Sequence, residues 1–296
     1  MALYEYLQNI CRVNNSKLKI VHLNAQSLQD TSHAAEFIDI FSQCDIDIIT
    51  VSETWLKDSI KINLPNYNSY YINRTNRNGG GVAIFIKSCY TAKVLSTSVG
   101  EFDKPEYILL EVLIGADKIL LASIYRKPKA GYLDVFQEEL YRYMSDYKYV
   151  FLCGDLNARF GSGSDETKII TDMLSMSNLH RVHYGPTYHT ATCHSNLDVI
   201  SSNCPELLID YGQKPATGFS VHDLIYAVYD LSVPHNRKQS VSFRNFKNVV
   251  VENLLADIES SNWEEVYQAG DIDIKLKHFN DIIMKLMDKH ALTCKY

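Results

Sequence analysis

Residues 149–157 read YVFLCGDLN: five apolar side chains in succession, a glycine, then Asp155 and Asn157 with one leucine between them. An unbroken apolar run of this length, closed by turn-forming residues, marks a strand buried on both faces. The polar residues then stand where the strand gives way to a loop. The same construction recurs along the chain in LKIVHL (18–23), IDIITVSE (46–53), GGGVAIFIK (79–87), EYILLEVLI (106–114), KILLASIYR (118–126), LDVISS (197–202) and LIYAVYDLS (224–232). Helical patterns fall between some of these runs, around His33–Cys44, Leu133–Tyr147 and Thr167–Ser177, while other strands follow one another at hairpin spacing. The mixture predicts an α/β fold, a β-sandwich of two mixed sheets flanked by helices in four layers, α/β/β/α.

A chain of 296 residues that is 46% hydrophobic can bury the core such a fold needs. It has no apolar run of about 18 residues, and its start, MALYEYLQNICRVNNSK, lacks a basic n-region and an apolar h-region. A soluble, intracellular protein with no membrane partner and no targeting signal is expected. Seven scattered cysteines, at 11, 44, 89, 153, 193, 204 and 294, form no CxxC pair, which suits free thiols in a reducing compartment. The net charge of −6 argues against a broad basic surface for nucleic acid, unless the acidic groups gather around a divalent cation that supplies the local positive charge.

The organisation expected is a leader over 1–17, a main domain over 18–235 and a helical linker over 236–296. The linker opens with HNRKQSVSFRNFKN, polar, basic and without strand pattern. Beyond it, Ile272, Leu276, Phe279, Ile283 and Leu286 make a heptad-like apolar stripe on a helix. That helix needs a partner, either the main domain or a further domain.

Polar residues at the ends of the apolar runs are the candidate site: Asn24, Glu53, Tyr125, Asp155, Asn157, Asp198 and His222. Singly, each has an ordinary structural role, as a cap, a turn former or a buried histidine. Together they occupy loops carried on a rigid scaffold, where function concentrates.

In order along the chain, LNAQSL, SETWL, GGGVAIFIK, IYRKP, GDLNA, SNLD and SVHD resemble the endonuclease/exonuclease/phosphatase superfamily, which includes apurinic-site endonucleases, sphingomyelinases and inositol-polyphosphate phosphatases. The wording of SETWL, GGGVAIFIK and IYRKP, with FRNFKN, NWEEVY and KHFN in the tail, is most similar to the apurinic-endonuclease-like domain of LINE-type (non-LTR) retrotransposon polyproteins. The resemblance implies a magnesium-dependent endonuclease (manganese being an alternative) that nicks double-stranded DNA in the nucleus. The free 3′-hydroxyl would prime a reverse transcriptase domain downstream of residue 296.

It further implies roles for the candidate residues. Glu53 binds the metal with Asn24 beside it, and such hard oxygen ligands favour magnesium or manganese over zinc. Asp155 positions and deprotonates the attacking water, Asn157 orients that water or the phosphate, and Tyr125 contacts the scissile phosphate. His222 binds a phosphate oxygen, with Asp198 fixing its tautomer and favouring its charged form.

The pattern breaks at one place. The last motif of the family reads Ser-Asp-His, and here it is Ser220-Val221-His222. An isopropyl group replaces a carboxylate that helps hold the histidine and the water around the metal, a loss expected to cost about 10 to 100-fold. Asp223 is about 6 to 7 Å further along an extended chain and does not replace it. The alternatives are a catalytically weak or silent DNA-binding domain or, less favoured, a phosphatase or phosphodiesterase of the same fold. DNA contacts are expected from Arg74, Arg77, Arg126 and Lys127, and from Tyr188, Thr190 and Thr192, whose hairpin approaches DNA in the retrotransposon relatives. His183, His189, Cys193 and His194 lack a recognised zinc spacing.

Overall fold

The computed structural model describes residues 2–57, 59–74, 79–98, 104–128, 133–218, 220–233, 242–247, 249–291 and 293–295. They fall into two compact units, Met1–His235 and Asn236–Tyr296.

Two six-stranded sheets build the first unit. The first contains β1 (Lys17–Asn24), β2 (Ile48–Ser52), β3 (Tyr67–Ile72), β4 (Val82–Lys87), β13 (Leu208–Pro215) and β14 (Asp223–Ser232), in the order β13-β14-β1-β2-β4-β3. The second contains β5 (Thr91–Thr97), β6 (Glu106–Ile114), β7 (Asp117–Tyr125), β8 (Tyr149–Asp155), β9 (His180–Arg181) and β12 (Asp198–Ser202), in the order β5-β6-β7-β8-β12-β9. Both are mixed, with β1–β2 and β7–β8 parallel among antiparallel neighbours. A small hairpin pairs β10 (Tyr188–His189) with β11 (His194–Ser195).

The strands are apolar without a break because both faces are covered. On β1, Leu18 and Ile20 join the cluster between the sheets, with Phe151 and Ile200 of the second sheet. Val21 and Leu23, one residue out of phase, join an outer cluster with Leu7 and Ile10 of α1 (Leu3–Val13) and Phe37 and Phe41 of α2 (Thr31–Ser42). The outer face of the second sheet is closed in the same way by Phe136 and Leu140 of α3 (Asp134–Met144) and Met173 and Leu174 of α4 (Asp165–Met176). The result is the expected four-layer α/β/β/α sandwich. Asp30 caps α2 by accepting from the amides of Ser32 and His33, and Ser164 caps α4 by accepting from Thr167, each satisfying donors a helix start leaves open.

The second unit holds α5 (Val251–Ser260), α6 (Glu264–Gln268) and α7 (Ile272–His290). The segment read as strandless linker supplies β15 (Ser242–Arg244), which pairs antiparallel with β16 (Thr293–Lys295). A three-residue strand is too short to carry a periodic signal. On α7, Leu286 is buried and the Phe279 ring lies 5.9 Å from that of Trp263, whereas Ile272 and Leu276 are exposed.

Candidate active site

Strand register assembles the site. Glu106 pairs with Tyr125, Tyr125 with Asp155 and Asp155 with Asp198. These four side chains therefore form one row across β6, β7, β8 and β12. In the first sheet, Asn24 pairs with Ser52 across parallel β1 and β2, so Asn24 and Glu53 leave the sheet at the same end. His222 immediately precedes antiparallel β14. Gly154 makes the row sterically feasible, because a Cβ there would lie 1.9 Å from the Ile124 carbonyl oxygen.

The sequence-expected residues are brought together. Asn24 Nδ2 donates to Glu53 Oε1 and to Asp155 Oδ2, each at 2.9 Å. The Asn157 amide donates to Asp155 Oδ1 at 2.9 Å, while its side chain reaches the Arg126 carbonyl at 2.8 Å. His222 Nδ1 lies 2.9 Å from Asp198 Oδ2, and Ser220 Oγ donates to the Asn24 carbonyl at 2.6 Å. Five of the seven described non-glycine residues with positive φ belong here: Gln26, Ser27, Glu53, Trp55 and Asn157. Such backbone strain persists where surrounding contacts over-determine it, and it clusters at functional sites.

The electrostatics follow from carboxylates crowded out of water. Burial, reinforced by the charge on Asp198, pushes Asp155 up to about 8. Burial also works against ionised Asp198, but His222 and His22 together hold its carboxyl well below the usual range. Burial would lower the His222 imidazole, yet Asp198, with help from Asp155 and Glu53, pushes it up to about 9. Burial is the main reason the Tyr125 phenol stays protonated, with the charges of Glu53 and Asp155 adding to it. At neutral pH the site thus offers an imidazolium and a phenol beside carboxylates.

The donor set suits a hard divalent cation. One Asn24 amide nitrogen serves the carboxyl groups of both Glu53 and Asp155, and Glu53, Asp155 and the Asn24 amide can all present oxygen to a cation. Ligand atoms of Asp155, Asp198 and His222 also lie within 4.8 Å of one another. Within that group, however, Asp198 Oδ2 is already engaged by His222 and by the Thr187 hydroxyl at 2.6 Å. Glu53, Asp155 and Asn24 are the all-oxygen set, the kind a hard cation prefers.

Several contributors escaped the sequence reading. Thr187 accepts at Oγ1 from the Leu197 and Asp198 amides, both at 3.1 Å, while donating to Asp198. Nothing in its sequence setting signals this. Buried His22 stands with Nε2 3.4 Å from Asp198 Oδ1, its other nitrogen 3.0 Å from Thr50 Oγ1; a histidine inside the apolar run KIVHL was the available clue. Glu106, the carboxylate opening EYILLEVLI, is buried and accepts from the Gly81 amide at 2.5 Å. Gln26 Oε1 receives the Val221 amide at 3.0 Å.

The residues expected at DNA are distributed differently. Arg74 pairs with Glu106, and its guanidinium lies 5.8 Å from the centre of the Tyr125 ring. Arg126 is drawn inward, with only 5% of its surface exposed, by Glu166 at 2.5 Å and the Leu156 carbonyl at 3.2 Å. A buried guanidinium needs such partners. Arg77 lies outside the described residues, and Lys127 is half-buried. The Tyr188 ring packs 4.9 Å from His222, while Thr190 and Thr192 sit in the turn closing β10 to β11, where Thr190 Oγ1 accepts from the Cys193 amide at 3.0 Å. A groove of about 640 Å³, lined by Gln26, Glu53, Asn157, Arg159, Tyr188 and His222 among others, opens onto this site. Val221 is 44% exposed. Asp223 is turned away toward Gln213 Nε2, 2.8 Å from its Oδ2.

Buried carboxylates, a histidine and strand-end amides converge beneath a groove, an arrangement able to hold a divalent cation beside a phosphate ester. Residues 13–222 match the Endonuclease/Exonuclease/phosphatase family, and the chain belongs to it. No curated protein matches the chain by sequence. Solved structures share the fold. The endonuclease domain of TRAS1, a telomere-specific non-LTR retrotransposon, superposes with a TM-score of 0.58 at 14% identity, over 72% of this chain and 98% of that one. An AP endonuclease from Archaeoglobus fulgidus gives 0.54 at 18% identity, over 72% of this chain and 100% of that one. The 3′ phosphatase NExo (D146N) from Neisseria, bound to a product DNA hairpin, gives 0.56 at 14% identity over 72% and 100%. Among the described residues, no helix is long and apolar enough to cross a membrane.

Proposed function

We propose that this chain is a magnesium-dependent DNA endonuclease of the retrotransposon type, cutting one strand of a duplex to leave a 3′-hydroxyl for target-primed reverse transcription. The reading is carried by the row Tyr125–Asp155–Asp198 facing Asn24, Glu53 and His222 at a common sheet end. Glu53, with Asn24 beside it, would hold the cation, which would supply charge neutralisation at the phosphate and at the departing oxygen. Asp155 accepts the proton of the attacking water, and Asn157, anchored to Asp155 and to the Arg126 carbonyl, keeps its carboxylate oriented. His222, charged through Asp198, donates to a non-bridging phosphate oxygen, while the Tyr125 hydroxyl steadies the same group.

One observation favours a second reading, a DNA-binding domain with little catalysis: Val221 puts an apolar side chain at the rim, and Asp223 is committed to Gln213. Incubation with supercoiled plasmid and magnesium decides between them. Relaxed circles that disappear with chelator are the expected product, and Val221→Asp should raise the rate about 10 to 100-fold. The Val221 backbone is already held by Gln26 and by the His189 amide, so the exchange leaves the fold unchanged. Plasmid bound but uncut by the parent, with cutting by the variant, establishes the second reading. Release of phosphate from a 3′-phosphorylated oligonucleotide without nicking would point to the phosphatases of the family.

A further inference from the structure

We propose that His189 and His194 form a binding site for one divalent d-block cation of the zinc class on the β10–β11 hairpin, separate from the carboxylate site. Five residues apart in sequence, the two histidines are direct cross-strand partners. Their Nδ1 atoms face each other at 2.8 Å, and their ring centres are 5.1 Å apart. Two unprotonated imidazole nitrogens that close repel, so the geometry needs either a shared proton or a cation.

The far side of His189 is buttressed by a carboxylate. Its Nε2 lies 3.3 Å from Oδ2 of Asp223, a buried carboxylate held in place by Gln213 Nε2 at 2.8 Å. The backbone there is fixed as well, since the Asp223 amide donates to the Thr187 carbonyl at 2.6 Å. A carboxylate beside one imidazole nitrogen orients the ring and favours the tautomer that leaves the other nitrogen free to ligate. Tetrahedral zinc with bonds of about 2.0–2.1 Å needs its two nitrogens roughly 3.3 Å apart, so the rings separate by about 0.5 Å, a small rotation for side chains on a two-residue ladder. Imidazole selects d-block ions over magnesium, just as the oxygen set at Glu53 selects magnesium over zinc. Exposed His194 leaves the remaining positions to water or to an incoming ligand.

The test is a titration of the full chain, saturated with magnesium, with zinc sulfate, recorded by long-range proton–nitrogen spectra that resolve each histidine ring. His189 and His194 nitrogens are expected to shift together and saturate at one zinc per chain, whether or not His222 also moves. His194→Gln, an exposed substitution, should abolish the joint shift, and Asp223→Asn should weaken zinc binding about 10 to 100-fold. A shift confined to His222, or equal zinc affinity in the parent and His194→Gln, overturns the proposal and assigns the close pair to a shared proton. Should Asp223→Asn misfold, the His194→Gln comparison still decides.

Discussion

Replacing Thr187 with valine removes one oxygen and almost no volume, yet that oxygen closes three contacts. It donates to Asp198 Oδ2 at 2.6 Å and accepts from the Leu197 and Asp198 amides at 3.1 Å. All three lie in fully enclosed structure, with Thr187 and Asp198 at 0% exposure. Two buried amides left unpaired cost about 1–3 kcal/mol each, and the hydrogen bond to a charged carboxylate contributes on the order of 1.5–3 kcal/mol. These terms share one network and do not add fully, so Thr187→Val should destabilise the protein by about 2–5 kcal/mol. Denaturant unfolding reads this as a lowered midpoint at unchanged slope. Asp198, freed on one side, also orients His222 less firmly, and nicking should fall about 10 to 100-fold. Thr187→Ser, which keeps the hydroxyl, should recover most of both. A valine variant within about 0.5 kcal/mol of the parent, the scatter of neutral substitutions, would refute the assignment of Thr187 as the anchor of the His222–Asp198 pair.

Arg74→Leu strands buried Glu106 and should cost about 3–5 kcal/mol; adding Glu106→Gln should restore much of it, and strictly additive effects in the double variant would show that the two side chains are not coupled. Gly154→Ala drives a methyl group into the Ile124 carbonyl at 1.9 Å and should cost about 3 kcal/mol or more, measured by thermal unfolding; an unchanged Tm would contradict the register at the row. Asp155, raised from 3.8 to about 8 without a cation, favours the cation-free fold at low pH, an advantage lost as pH rises through about 8. A divalent cation displaces that proton, so the rise in Tm on adding magnesium should be larger at pH 8 than at pH 6; a pH-independent rise would mean that Asp155 is already ionised before the cation arrives.

The sequence showed those parts of the fold whose chemistry is one-sided. Strands covered on both faces, such as β8 and β14, must be apolar throughout and stand out as runs. Among the strands that escaped, β3, β5 and β13 lie at sheet edges with half-exposed, mixed side chains. Such edges carry polar groups that discourage pairing with other chains, and that polarity erases the pattern a reader looks for. The same division runs through the site. Asn24, Glu53, Asp155 and Asp198 could be picked out because each interrupts or ends an apolar run. Thr187, an ordinary residue in an ordinary loop, owes its role entirely to the fold bringing it against Asp198. Arg74 and Arg126 mislead for the converse reason: loop cations read as surface groups, but each is matched to a carboxylate, Glu106 or Glu166, that is distant in sequence and near in space. Pairing across strands is the information a single sequence withholds. It explains why the row Glu106–Tyr125–Asp155–Asp198 and the facing histidines of the β10–β11 hairpin emerge only once register is known, and why charge near the groove is set by partners more than by composition.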